Sequence, residues 1–278
     1  MEKKRIESAG NRIYKEAVKC VDSREARKKG LFMVEGLRSI REFLSSAGFE
    51  MDSLWVADSF ETGTLLTDDA KLSVTALAGA TVYEVPDELF KRLSDTETPQ
   101  GVTAFVRRKK VTLEDALNPA RAAGRSPLLV VLENLRDPGN LGTILRSADA
   151  FGATAVVALK GCCDVYSPKV VRSSMGSLFH VPVVTDIEDA AALAPILKEA
   201  GITSCAALLT GTKSPAECDF TAPLALWIGN EANGLTAEAA ALADLPILIP
   251  MTGQAESLNA AIAASVLLYE CQRQRLKT

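Results

Sequence analysis

Histidine is almost missing from this 278-residue sequence, with His180 the single example. Any site that needs two imidazoles, such as an HExxH zinc or a two-histidine iron centre, is thereby excluded. A hydrolase triad would have to use His180, and no GxSxG accompanies it. Within LFHVPVV the residue reads as structural, at a strand edge. Six cysteines are present, at 20, 162, 163, 205, 218 and 271, but there is no CxxC. The adjacent pair 162–163 suits neither a disulfide framework nor a zinc cage, so the thiols read as reduced and mostly buried, and no metal site is expected. No run approaches the roughly 18 apolar residues that a membrane-spanning helix requires. The basic residues of MEKKRIESAG are followed by no apolar stretch, unlike a secretory signal. A soluble, cytoplasmic protein with no membrane partner is expected.

What is present is ordinary globular composition, 47% apolar and 24% charged, which disfavours disorder and coiled coil. The length allows two domains or one large α/β unit. The formal net charge of -4 hides an asymmetry: the first 30 residues hold ten basic residues against five acidic ones. Such a stretch marks either an anionic partner or a solvated helix face.

Strand-like FMVEG (32–36), SLWVA (53–57), TVYEV (81–85) and GVTAFV (101–106) alternate with helical patterns at 37–47, 67–78 and DELFKRLSD, which predicts a small α/β domain over 1–108. The charged segment that follows, with its Pro and Gly, reads as a linker at 109–126. From 127 to 278 the alternation is plainer. LLVVL, TAVVAL, HVPVVT, TSCAALL, LALWIG and LPILIPM are near-continuous apolar runs separated by helical segments at 140–151, 188–200 and 236–243, with a long helix from about 257. Continuous rather than alternating apolar runs indicate strands buried on both faces, hence a mostly parallel sheet flanked by helices.

Such a sheet invites a nucleotide, yet the sequence has neither GxxxxGK[ST] nor a GxGxxG after a strand. Three other clusters stand out. In ENLRDPGNLGTILRSADAFG, Asn140 is placed as a helix N-cap and Arg146 lies about a turn and a half further on, a position usual for a surface arginine. In LWIGNEANGL, Gly229 and Gly234 permit close backbone approach, and Glu231 lies at the C-terminal end of a strand, where open α/β sheets bind ligands. In ILIPMTGQAESLNAAIAASVLL, Ser257 reads as an N-cap with Asn259 in the first turn, and Leu258, Ala261, Ile262, Ser265 and Leu268 or Tyr269 on the buried side.

Taken together and in this order, the clusters closely resemble the three motifs of the SpoU, or TrmH-like, family of 2'-O-ribose RNA methyltransferases in the SPOUT class. The first motif is Asn140, Gly142, Arg146 and AFG at 150–152. The second is Gly229, Glu231 and Gly234, and the third is Ile249, Pro250, Met251, Gly253, Ser257, Leu258 and Asn259. The N-terminal half is similar, more loosely, to the substrate-binding domain often fused ahead of this catalytic domain, through Asn11, the basic stretch to Arg27, Glu35 and Gly36, and Gln100 and Gly101.

The resemblance implies a trefoil-knotted catalytic domain that holds S-adenosylmethionine bent, with Gly229, Ile249, Met251 and Leu258 around the cofactor. It also implies a homodimer whose active sites use both subunits, across which the C-terminal helix, with Leu267, Leu268 and Tyr269, either packs or serves as intrachain core. Arg146 would act on the ribose hydroxyl, with Asn140, Ser257 and Asn259 completing the hydrogen-bond set and Glu231 positioning an arginine or a loop. The substrate implied is structured RNA, ribosomal in preference to transfer RNA. The competing readings are a transfer-RNA 2'-O-methyltransferase, a SPOUT base methyltransferase and an RNA-binding protein without activity.

Overall fold

The computed structural model describes residues 2–46, 48–61, 65 and 80–276. The helix expected over 67–78 lies outside the described residues, as does Ala47. By its contacts the chain forms two compact units, one of residues 1–109 with 166–179, the other of 110–165 with 180–278.

The first unit is built on a five-stranded mixed sheet, in the order β1-β4-β3-β5-β2, from β1 (Glu2–Arg5), β2 (Leu31–Glu35), β3 (Met51–Ala57), β4 (Thr81–Val85) and β5 (Val102–Arg107). β1 carries no apolar pattern that sequence reading could detect. It is an edge strand held by backbone pairing to β4, with Lys3, Lys4 and Arg5 exposed; charge on such an edge discourages further strand addition. Two short helices, Arg12–Lys19 and Ser23–Lys28, are capped by the Asn11 and Asp22 side chains. Asn11 therefore has a structural task here. Tyr14, Trp55, Phe90 and Phe105 lie in the core of this unit. The segment 166–179 adds Tyr166 and Phe179, which pack against Phe32.

The second unit is a six-stranded sheet, every neighbouring pair parallel, in the order β11-β9-β10-β6-β7-β8. Its strands are β6 (Leu128–Leu132), β7 (Ala155–Ala158), β8 (Val183–Val184), β9 (Thr203–Ala207), β10 (Leu224–Ile228) and β11 (Leu245–Ile247). All six apolar runs are strands, shorter than their runs because several last residues turn into loops. Leu129, Val131, Val157 and Trp227 on one face share a core with Leu113, Leu117, Leu193 and Ala239 from three helices. The helices Pro138–Ala150 and Ala260–Arg275 pack on each other and on β7 and β10.

The segment read as a linker is a correction. Leu113–Ala122 is a helix with a Thr112/Asp115 capping box, and Leu113, Ala116 and Leu117 are buried in the second unit's core. Its charged exposed residues and Pro119 masked a four-residue apolar stripe. A second correction concerns the C-terminal helix. Leu267 and Leu268 are fully buried in their own chain, whereas Ile262, assigned to the buried side, is 50% exposed, with Val266 at 41% and Tyr269 at 56%.

At the far end of that helix the Arg275 guanidinium is half-buried and donates to the carbonyls of Ser126, Pro127, Phe220 and Ala222. The six cysteines are free. His180 is exposed in the turn before β8, with Nδ1 3.0 Å from Asp149 Oδ2. Among the described residues no helix is long and apolar enough to cross a membrane, and no group of three or more His, Cys, Asp or Glu could hold a metal.

Candidate active site

β6, β9 and β10 end at the same edge of the parallel sheet, and the loops that leave them are tied together by side chains. After β6 the chain passes through Glu133 and Asn134, whose φ of 52° is a left-handed conformation that asparagine tolerates. The turned backbone aims the Asn134 carbonyl at Asn230, whose Nδ2 donates to it at 2.8 Å. Asp137, not Asn140, is the N-cap of the following helix: its Oδ1 accepts from the Asn140 N–H at 2.8 Å, and Pro138 occupies the first helical position. An acidic residue before a proline at a helix start was a legible signal for this cap. Relieved of capping, the Asn140 side chain is free for the site.

The loop after β10 is a closed turn. Asn230 and Gly234 exchange backbone hydrogen bonds at 2.9 Å, and the Asn230 side chain accepts from the N–H groups of Ala232 and Asn233. Gly229 sits against this turn so closely that a Cβ there would lie 2.1 Å from the Gly234 carbonyl carbon. Only glycine permits that approach.

Glu231 uses both carboxylate oxygens on the loop after β6. It accepts from the N–H groups of Asp137 at 2.8 Å and Arg136 at 3.2 Å, and from Asn140 Nδ2 at 3.2 Å. Burial pushes its carboxyl upward, but the donors outweigh it and hold it below the ordinary glutamate value. The carboxylate clamps a loop and remains ionised until the pH falls below the usual carboxylate range. Its support for the folded state is present above that range and lost on further acidification.

The third segment corrects a capping assignment. The C-terminal helix starts at Ala260 with Asn259 as its N-cap, and Ser257 lies outside the helix, exposed and lining a cavity. Asn259 Oδ1 accepts from the N–H groups of Ala261 and Ile262, so its Nδ2 must face outward, where it donates to Asn140 Oδ1 at 3.0 Å. That fixes Asn140 in turn, its oxygen toward Asn259 and its amide nitrogen toward Glu231. Asn140, Glu231 and Asn259, drawn from three separate motifs, form one chain of hydrogen bonds. Each asparagine keeps one further Nδ2 hydrogen for another acceptor.

Beside this chain lies a cavity of about 370 Å³, a size typical of small-molecule sites. Gly229, Ile249, Met251 and Leu258, the four residues assigned to a cofactor, all line it, with Ser257 and Glu231. Its opposite wall, Leu208, Leu209 and Thr210, follows β9 and carried no signal in the sequence, because only the tertiary fold brings that loop here. The 208–213 loop also grips the chain after β11: Leu208 N–H donates to the Ile247 carbonyl and Leu248 N–H to the Lys213 carbonyl, both at 2.9 Å. Gly211 lies so near that a Cβ would stand 2.2 Å from the Ile247 carbonyl carbon.

Arg146 stands apart. It is exposed on the Pro138–Ala150 helix, six residues and hence about 9 Å along the axis from Asn140, and makes no hydrogen bond or ion pair with the described residues. Within one chain it is not brought to the Asn140 cluster. Cys163, near the loop after β6, has its thiol pushed up to about 12 by burial and by neighbouring Cys162, Glu231 and Asp137, which leaves it protonated and unsuited to nucleophilic work at neutral pH.

Glu133 was missed by sequence reading. It is 7% exposed, and its two oxygens accept from Thr236 N–H and Thr236 Oγ1, both at 2.8 Å, which pins the residue that follows the 229–235 turn. Glu133→Gln keeps the shape but sets an amide NH2 against one of those donors. Denaturant unfolding should show a loss of about 1–3 kcal/mol; an unchanged midpoint with unchanged slope would remove the clamp from this description.

Comparison with known proteins agrees with the geometry. Residues 127–269 match the model of the SpoU rRNA Methylase family, and residues 11–104 match the MRM3-like substrate binding domain. The 23S rRNA (guanosine(2553)-2'-O)-methyltransferase RlmP of Bacillus subtilis is 33% identical over 96% of this chain and 98% of its own. The 23S rRNA (uridine(2479)-2'-O)-methyltransferase of Streptomyces viridochromogenes is 34% identical over 90% of this chain and 85% of its own. Among solved structures, an AdoMet-bound rRNA methyltransferase from Sinorhizobium meliloti superposes with a TM-score of 0.82 at 28% identity, covering 98% of each chain. AviRb of Streptomyces viridochromogenes, a SpoU methyltransferase in complex with AdoMet, gives 0.80 at 30% identity over 96% of this chain and 98% of its own. With three motifs joined at one sheet edge and likeness along nearly its whole length, the chain belongs to the SpoU rRNA methylase family.

Proposed function

We propose that this protein transfers the methyl group of S-adenosylmethionine to a ribose 2'-hydroxyl of structured RNA, ribosomal in preference to transfer RNA. The observation that carries the reading is the joining of all three motifs by the Asn140–Glu231–Asn259 chain, beside a cavity lined by the second and third. The residues fit the cofactor: the cavity size is adequate, Ile249, Leu258 and Met251 offer apolar walls, and Gly229 leaves backbone accessible. S-adenosylmethionine carries no phosphate, so the missing phosphate loop is no obstacle. When bound, it supplies an electrophilic methyl group on a sulfonium whose departure as a thioether needs no protonation.

The demanding part falls to the protein, because an alkyl hydroxyl is a poor nucleophile at neutral pH. The spare amide hydrogens of Asn140 and Asn259 are preset by Glu231 and the helix cap to donate to a ribose oxygen, and Ser257 lines the cavity nearby. Arg146, always charged, cannot serve readily as base; it orients the hydroxyl or a neighbouring phosphate and stabilises the developing alkoxide.

Its isolation in a single chain supports a homodimer in which the site is completed across the interface. The apolar stripe Ile262, Val266 and Tyr269, at helical spacing on the helix that packs beside Arg146's own, supports the same reading. The grip of the 208–213 loop on 247–248 supports a trefoil knot around the cofactor cavity. Residues 1–108, joined by 166–179, are proposed to bind the RNA, 127–278 to catalyse, and the protein to act in the cytoplasm. The ribosomal preference rests on that N-terminal domain and on relatives that act on 23S rRNA.

Methylation of the 2'-oxygen removes the nucleophile that attacks the adjacent phosphodiester in alkali. RNA labelled from methyl-tritiated cofactor and digested in mild alkali should keep its label in dinucleotides. Label confined to mononucleotides would mean base methylation, and no incorporation would mean a binder without activity.

A further inference from the structure

The ten cations of the first 30 residues are not equivalent, and their ion pairs sort them. Lys19 and Lys29 both reach Glu16 at 2.7 Å, Lys28 reaches Glu25 at 2.5 Å, Arg5 reaches Asp58 at 2.8 Å and Lys3 reaches Glu84 at 3.1 Å. Each of these cations has a carboxylate partner, although Lys19 and Lys29 share one. Arg12 and Lys15, on the exposed side of the Arg12–Lys19 helix, have no such partner among the described residues, and neither has Arg92, which is exposed just beyond the Asp87–Phe90 helix. These three, far apart in sequence in the case of Arg92, line one groove of about 490 Å³. Ala9 and Gly10 line it too and leave it roomy. Its single acid, Glu16, is already held by two lysines.

Three uncompensated cations lining one open groove, in a chain of net charge -4, make a local positive patch suited to a polyanion. We propose that this groove is the phosphate track of the substrate-binding domain, with Arg12, Lys15 and Arg92 each contacting the RNA backbone. The proposal rests on the RNA methyltransferase reading and deepens it. It also divides the basic stretch: Arg24 and Arg27, equally exposed and without ion-pair partners among the described residues, lie on the next helix outside the groove and contribute little.

The test measures binding of full-length protein to purified 23S rRNA across a salt series. The variants are Arg12→Gln/Lys15→Gln/Arg92→Gln and the control Arg24→Gln/Arg27→Gln. Each phosphate contact contributes about 0.7–0.9 to the slope of log affinity against log salt. The triple variant should flatten that slope by about 2–3, with at least roughly tenfold weaker binding at physiological salt, while the control keeps the wild-type slope. S-adenosylmethionine affinity, measured in parallel, should be equal in all three proteins, since no groove residue lines the cofactor cavity. A triple variant with the wild-type slope, or a control that loses as much, overturns the groove. Wild-type protein that binds cofactor but no RNA would instead overturn the reading on which the groove depends.

Discussion

Arg146→Ala is expected to slow methyl transfer by about 100-fold or more while leaving S-adenosylmethionine affinity nearly unchanged. The asymmetry follows from position. Arg146 is exposed, outside the cavity wall and without a partner among the described residues, so its removal should disturb neither the fold nor the cofactor's contacts. Its proposed interaction strengthens only as charge grows on the ribose oxygen, and a group that acts in that way lowers kcat rather than binding. Arg146→Lys preserves the charge but not the planar fork, and should recover only part of the loss. Single-turnover transfer with saturating cofactor, together with calorimetric cofactor binding, measures both quantities. Near-normal turnover of the alanine variant would remove Arg146 from the mechanism, and a parallel loss of cofactor affinity would assign it a different task.

The second large effect is expected at Gly229. Alanine there would place its methyl carbon 2.1 Å from the backbone of Gly234 and equally close to Leu235 N, and both belong to a turn whose ends are hydrogen-bonded to each other. No flexible side chain can move aside, so the backbone that lines the cavity must itself shift. Overpacking of this kind costs about 1–3 kcal/mol, and if most of it falls on the bound state the cofactor should bind roughly 10- to 100-fold more weakly. Gly253, in the third motif, provides the contrast. A Cβ there meets nothing within 4 Å, and Gly253→Ala should bind cofactor as the wild type does. Equal effects at the two glycines would show that the tight approach at 229 is not what shapes the cavity.

The parts legible in sequence were those with a local cause. The six strands of the parallel sheet announced themselves because burial on both faces demands uninterrupted apolar residues, and the three motif segments were visible as departures from that pattern. Asn140, Glu231 and Asn259 were found together, yet two of their local roles were misjudged. Any of several polar residues at a helix start can cap it, and the choice of Asp137 over Asn140, and of Asn259 over Ser257, depends on where the backbone enters the helix. The Leu113–Ala122 helix was hidden by its charged outer face, and β1 by having no apolar residue at all. Leu208–Thr210 and Glu133 could not be placed from sequence, since their part in the site exists only through residues distant in the chain. In the apolar C-terminal helix the sequence grouped Leu267, Leu268 and Tyr269, but Leu267 and Leu268 are buried in their own chain, and the outward stripe is Ile262, Val266 and Tyr269.

The four carbonyls held by Arg275 give this architecture a temporal order. The acceptors at Ser126 and Pro127 precede β6, the first strand of the parallel sheet, yet their donor is made 149 and 148 residues later. During synthesis those two carbonyls, at the entry to a central strand, therefore wait for this donor until nearly all of the described chain has been made. Contacts of such long separation slow folding and prolong the exposure of apolar strands. A polypeptide interrupted before residue 275 would lack these four hydrogen bonds, leaving the entry to the parallel sheet less well held and its strands more open to proteolysis and aggregation.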